Sequence, residues 1–337
     1  MTRFDEGDRA NGKERMLETI SLGDPDRRPV CPPYQGYWAL RLAGIGVVES
    51  IEHPERAARA QVAAARECGF DGYEMAWDLF APVQALGCEI KFLDSGTVST
   101  VSTIIDSPED VERICLPDLR RDARLQSSLE SARRIMEMDG TNSFLHATMS
   151  APFTLVGELR GLENLLLDSL SEEDLVIRML EAATDCVLGY SQEYLDLNPD
   201  MISFTDPTAS GALISLENFR KYSLPYVKRC SDEVRSQGAK SMVRVYGDDR
   251  LEDTNSIGAD VCSMDTSVGV RDACRIVRSA LLGNVDPIRF IFSGRDSDVR
   301  GEVTRILSSA RERGFILGAG GDIPPGSPLA NVKALLR

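Results

Sequence analysis

The residues of this chain that could do chemistry fall in several short, separated stretches. Asp78 closes YEMAWD, His146 stands inside FLHATM, and Arg244 and Tyr246 alternate in VRVYGDD. Asp206 opens DPTAS, Asn284 and Asp286 stand in GNVDP, and Gly320, Gly321 and Asp322 follow the run FILGA. A carboxyl, an imidazole or a phenol can pass a proton, and a guanidinium can hold an anion. Each residue also has a plain structural reading. His146 suits the core of an apolar strand, Asp206 before Pro207 suits a turn, and Arg244 suits an ion pair with Asp206 or Asp265. Metal chemistry draws on imidazole and thiolate, yet the chain has only two histidines and no CxxC among its eight cysteines.

These residues lie in or just after short apolar runs at 29–34, 70–76, 144–149, 201–205, 241–246, 261–265, 280–285 and 315–318. The stretches between them carry apolar residues at helical spacing, at 54–68, 122–138, 162–170, 172–195, 216–237 and 298–313. Gly238 and Gly314 suit helix ends. Strands alternating with helices predict a parallel sheet with right-handed crossovers. Eight such units predict a closed (β/α)8 TIM barrel, one domain over 1–337 with a helical arm over about 1–25. A doubly wound open sheet would want a glycine-rich dinucleotide fingerprint after an early strand, and none is present. The largest insertion, 81–121, contains TVSTVSTII at 97–105, which predicts a hairpin over the barrel mouth. Chemistry in such a barrel sits at the C-terminal strand ends. Gln35, Tyr37 and Arg41 follow the first run, Trp77 and Asp78 the second, and Met149 and Phe153 the third.

Charge narrows the partners. The chain carries 38 Lys and Arg against 53 Asp and Glu, a net of −15, which disfavours nucleic acid and anionic membranes. No run of 18 apolar residues predicts a transmembrane helix. The start MTRFDEGDRANGKERM is polar and unlike a secretory leader, and the scattered cysteines read as reduced thiols. The expectation is a cytoplasmic protein.

Five stretches look familiar together: WDLFAPVQALGCEI (77–90), SAPFTLVGELRGLENLLLD (150–168), DPTASGALISLENFRKYSLPYVK (206–228), VRVYGDD (243–249) with GNVDP (283–287), and GGDIPPGSPLANVKAL (320–335). Their order and spacing resemble the uroporphyrinogen decarboxylase superfamily, which also holds methyltransferases of corrinoid-dependent pathways. The resemblance covers roughly residues 14 to 336 and implies a (β/α)8 barrel, as the strand count does independently.

Function does not follow from fold, so each site design in the superfamily is compared separately. The decarboxylases carry an arginine-rich loop after strand one and a histidine at the end of strand eight. Here the first loop keeps only Arg41 as an anion grip, and glycine stands at the strand-eight position. Asp78 matches the aspartate that faces the reacting pyrroles. The thiol methyltransferases bind zinc with His-x-Cys after strand five and a cysteine after strand eight. The matching positions here are Arg244, Tyr246 and Gly321, so no zinc is expected.

The resemblance then implies a zinc-free methyltransferase. It would move a methyl group from a small methylated donor, an aryl methyl ether in an O-demethylation, to the corrinoid (cobalamin) of a partner protein. Cobalt(I) supplies the attack, and the enzyme supplies positioning and leaving-group stabilisation. Tyr246 or His146 is the expected proton donor, Arg244 the anion stabiliser and Asp78 the orienter or acid. Trp77, Met149 and Phe153 are expected as apolar walls, with Arg41, Asp206, Asn284, Gly321 and Asp322 as further substrate contacts. The rival readings are a decarboxylase of a small carboxylate, using Asp78 and an arginine, and a binding barrel without catalysis. A homodimer is compatible with the superfamily, some of whose members pair.

Overall fold

The computed structural model describes residues 10–93, 95–116 and 121–336. The first nine residues of the expected N-terminal arm, and residues 94 and 117–120 of the expected insertion, lie outside the described residues. Seven parallel strands form one curled sheet: β1 (Gly72–Ala76), β4 (Phe144–Ser150), β5 (Met201–Thr205), β6 (Lys240–Val245), β7 (Val261–Met264), β8 (Ala280–Val285) and β9 (Phe315–Ala319). They are hydrogen-bonded in that order. The strands are almost wholly buried, as parallel strands covered by helices must be.

Closure falls to a segment that barely forms a strand. Val30 makes a single parallel bridge to Leu317 of β9. The Cys31 N–H donates to the Leu317 carbonyl and the Leu317 N–H to the Pro29 carbonyl, both at 2.9 Å. On its other side the Val30 carbonyl accepts from the Asp71 N–H at 2.8 Å, just before β1. The run expected as an eighth strand over 29–34 is therefore one bridge long. Pro29, Pro32 and Pro33 have no N–H to offer a ladder. The ring is still the (β/α)8 TIM barrel that the apolar runs predict.

The floor of the barrel is plugged. The helix Gly12–Ile20 begins with a capping box between Asn11 and Glu14. Its Met16 and Ile20 pack on Phe144, Met201, Met242, Val261, Ala280, Leu282 and Ile316, which are residues of the strands' N-terminal halves. The neighbouring Arg15 pairs with Asp26 at 2.6 Å and Asp71 at 2.5 Å, and Arg27 pairs with Asp71 at 2.7 Å. The same Asp71 carboxylate accepts the Val30 N–H at 2.8 Å.

The mouth is roofed by an antiparallel hairpin of β2 (Ile90–Phe92) and β3 (Val98–Thr100). It lies earlier than TVSTVSTII suggests. Only 98–100 of that text is strand, because Ile104 and Ile105 instead donate to the Leu159 carbonyl. The helix expected at 216–237 is broken into Leu216–Tyr222 and Leu224–Ser236. Pro225 removes one N–H, and its ring cannot sit against the carbonyl one turn back.

Asp71→Ala should take a shared carboxylate from Arg15 and Arg27 and loosen Val30 together. Breaking a buried ion pair from one side costs roughly 3–5 kcal/mol. Urea unfolding should show a loss of that order, and an unchanged midpoint would mean that Asp71 does not hold the ring.

Candidate active site

The Val30 segment runs on into Tyr34-Gln35-Gly36-Tyr37, and this turn, rather than a long strand, builds one wall of the mouth. Together with Glu74, Trp77 and Asp322 it lines a cavity of about 280 Å³. Trp77 and Tyr37 meet edge to face, with ring centroids 5.2 Å apart. Gly36 packs directly on Trp77, where a β-carbon would come within 2.3 Å of the Trp77 side chain, so only glycine fits there.

Side chains of this wall carry buried polar atoms with no hydrogen-bond partner. Gln35 is 1% exposed, and neither end of its amide is hydrogen-bonded. The Tyr37 hydroxyl is buried and likewise unpaired. Buried polar groups are nearly always satisfied, so an unmet amide and hydroxyl at a cavity wall point to a ligand.

Glu74 was not among the residues singled out from the sequence. Tyr73 points outward, because its hydroxyl donates to Asp139 on the helix Ala123–Asp139 at 2.9 Å. The alternation of a strand therefore turns Glu74 inward. One carboxyl oxygen accepts the N–H groups of Gln35 and Gly36, both at 2.6 Å, and the other lies 3.4 Å from the Thr148 hydroxyl. Burial pushes the carboxyl up to about 8, and Asp322 adds to the rise while the two N–H groups oppose it. The signal in the sequence was a lone acid in the apolar run GYEMA.

Arg244, on β6, is the buried cation of the mouth, with 4% of its side chain exposed. Its guanidinium lies between the rings of Tyr34 and Tyr246, 5.1 Å from each centroid. Nη2 reaches the Gly320 carbonyl and, at 3.3 Å, Asp265. Nε and Nη1 are buried with no partner. Tyr246 shares a 2.7 Å hydrogen bond with the Thr205 hydroxyl, and burial pushes its phenol well above the usual range despite Arg244. Asp322 reaches solvent at the mouth, but the protein packed around it raises its carboxyl, with Arg244 opposing.

The other expected residues lie elsewhere. Asp78 is buried in a two-point ion pair with Arg124, at 2.6 and 2.7 Å, which leaves it no free oxygen facing the cavity. His146 is fully buried, its Nε2 at 3.0 Å from the Pro33 carbonyl. Burial lowers its imidazole to about 4, so it is neutral at pH 7. Asp206 accepts from Thr154 and Ser223 and ties β5 to two helices; burial lifts its carboxyl to about 6. Asn284 donates to the carbonyls of Asp265 and Val268. Arg41 is exposed at the end of the helix Gly36–Leu42. Met149 faces a separate apolar cleft with Leu79 and Tyr190, and Phe153 is core. Gly321 lies against Arg244.

Zinc does not fit these residues. Of the three positions where superfamily relatives place ligands, two hold Arg244 and Tyr246, whose side chains stack on each other. At the third, a β-carbon on Gly321 would already touch the Arg244 Nη2 at 3.5 Å and press on Pro287 at 3.3 Å. A guanidinium repels a cation and donates no lone pair. Among the described residues no three His, Cys, Asp or Glu side chains gather into a metal-holding group.

Comparison with known proteins agrees with this architecture. Residues 11–337 match the uroporphyrinogen decarboxylase (URO-D) family, and the chain belongs to that family. It is 26% identical to the methylcobamide:CoM methyltransferase MtbA of Methanosarcina mazei over 331 residues, 96% of each chain. It is 24% identical to a uroporphyrinogen decarboxylase of Myxococcus xanthus, over 94% of this chain and 92% of that protein. A solved methyltransferase structure from Methanosarcina mazei shares the fold, with a TM-score of 0.87 and 24% identity over 97% of each chain.

Removing metal should therefore change nothing in this protein. After dialysis against a strong chelator its melting temperature should be unaltered, and elemental analysis should return well under one zinc per chain. A tightly held, stoichiometric zinc would overturn the ligand argument.

Proposed function

We propose that this protein is a zinc-free methyltransferase. It moves a methyl group from a small aryl methyl ether to the corrinoid of a separate protein. The observation that carries this reading is the Tyr34–Arg244–Tyr246 stack, a fixed cation with two unmet N–H groups set behind Tyr34, which lines the small cavity. Such a cation holds negative charge on the donor as the methyl group leaves, in a site dry enough to make the charge count. Trp77 and Tyr37 supply an aromatic wall for a ring. The ether as donor is the finer part of the proposal.

A space of about 280 Å³ suits a small donor and is far too small for a corrin macrocycle. The corrinoid must meet the donor at the open mouth, held by its own protein, where its cobalt(I) form supplies the nucleophile. Large apolar side chains stand exposed on segments that follow strand ends at this side: Val101, Leu213, Ile288 and Phe292. Exposed apolar surface on such loops is what a partner protein covers.

The test uses the purified chain, a reduced corrinoid protein and a panel of methoxylated aromatics, followed by the absorbance change of methylated cobalt. Arg244→Ala should lower turnover by about 100-fold or more, the usual scale for losing one charge-stabilising group, with the fold intact by circular dichroism. Tyr246→Phe, which removes the hydrogen bond to Thr205 and keeps the ring, should cost much less. No methylation with any donor, together with carbon dioxide release from a carboxylate, would replace this reading with decarboxylation.

A further inference from the structure

We propose that Glu74 is the acid that protonates the leaving oxygen of a neutral O-methyl donor bound in the mouth cavity. The proposal rests on the methyl-transfer reading above and names the proton donor for it.

The argument begins with elimination. Breaking an O–CH3 bond leaves the bonding pair on oxygen, and a poor leaving oxygen needs a proton as the bond breaks. The sequence offers Tyr246, His146 and Asp78 for that task. Tyr246 is engaged with Thr205 and stacked on Arg244. His146 is sealed in the barrel against Pro33 and is not among the residues that line the cavity. Asp78 is neutralised by Arg124. None of these three lines the cavity, whereas Glu74 does, with no cation paired to it. Of the other acids in the lining, Asp322 reaches solvent and feels Arg244, and burial pushes the Tyr34 and Tyr37 phenols up, which makes them poor proton donors.

Its two oxygens are placed unequally. The one that accepts both backbone N–H groups is the natural seat of negative charge. The other has only the distant Thr148 hydroxyl, and it is the one free to carry a proton. The fixed N–H pair then stabilises the carboxylate at the moment the proton departs, without reorganisation. Burial keeps the group protonated at neutral pH. The step balances as follows. The cobalt(I) electron pair of the partner's corrinoid forms the new bond to the methyl carbon. The O–CH3 pair stays with oxygen, that oxygen takes the Glu74 proton, and an alcohol or phenol leaves. Glu74 is reprotonated from solvent once product departs.

The neighbouring groups set the pH window. Asp322 faces Glu74 through the cavity and raises it. His146 stands beside it on β4 and is neutral above about 4. Tyr37, on the first-segment side, is pushed well above its ordinary range. Between pH 6 and pH 9, marked roughly from these shifts, Glu74 is the group expected to change charge.

The experiment has two arms. In the ligand-free protein, infrared difference spectra should show a protonated-carboxyl band at pH 7 that fades with a midpoint of about 8. The band should be missing in Glu74→Gln and should fade at lower pH in Asp322→Asn. Absence of the band from the wild-type protein would overturn the proposal whatever the activity. In the second arm, single-turnover methyl transfer is compared across ethers of graded phenol acidity. Glu74→Gln, which keeps an acceptor for both N–H groups, should lose roughly 100-fold or more with weakly acidic phenols. It should lose little with nitrophenyl methyl ethers, whose oxygen leaves without help. An equal loss across the series would make Glu74 a positioning residue and overturn its role as acid. No transfer by the wild-type protein from any ether would sink the methyl-transfer reading itself, an outcome separate from the other two.

Discussion

The site depends on how the barrel is closed. Seven strands curl under their own twist, but the ring needs an eighth member, and here it is Val30 between Leu317 and Asp71. So short a ladder would be weak alone. Asp71 reinforces it by holding the Val30 N–H with its side chain and the Val30 carbonyl with its backbone, while Arg15 and Arg27 hold Asp71. Four residues later the same segment becomes Tyr34 and Gln35, which face the cavity. A closure built at the barrel floor therefore fixes the height and direction of the wall at its mouth.

That rigidity is what permits unusual charges to be buried. A guanidinium and a carboxyl removed from water each lose several kcal/mol of hydration unless partners return it. Arg244 recovers part from the Tyr34 and Tyr246 faces, the Gly320 carbonyl and Asp265. Glu74 recovers part from two backbone N–H groups and avoids the rest by staying protonated. Asp78 took the opposite course and is locked to Arg124, itself hydrogen-bonded to Gln84 and stacked on Phe92 of the hairpin. The Asp78 carboxylate fixes the roof of the mouth; the Glu74 carboxyl lines the cavity beneath it with no paired cation.

The apolar runs made the barrel legible, because parallel strands buried on both faces read as continuous apolar text. The first seam was legible as a place and not as a length, since its prolines cut the ladder to one bridge. Trp77, Gln35 and Tyr37 were legible as strand-end residues, and all three line the cavity. Glu74 was hidden within a strand, where facing is decided by alternation and by Tyr73 reaching Asp139. The observed partners of Asp78 and Asp206, Arg124 and Ser223, lie 46 and 17 residues away. Pairing at such separations is set by packing and leaves no local pattern.

The exchange at Gly321 is best understood as coupled to Arg244. A zinc site at the three relative positions needs a thiolate, an imidazole and a second thiolate converging on one point. Here that point is taken by a guanidinium stacked on a phenol, and a β-carbon at residue 321 already meets it. Restoring a thiolate at 321 alone would press a metal ligand against a cation. Restoring an imidazole at 244 alone would remove the group that satisfies the Gly320 carbonyl and Asp265. Each single reversal costs what the other residue now provides. The two arrangements compete for the same volume, one with side chains that converge on a metal and one with a buried guanidinium between two phenol rings. The volume cannot serve both, so the stacked arginine and a zinc at these positions exclude each other.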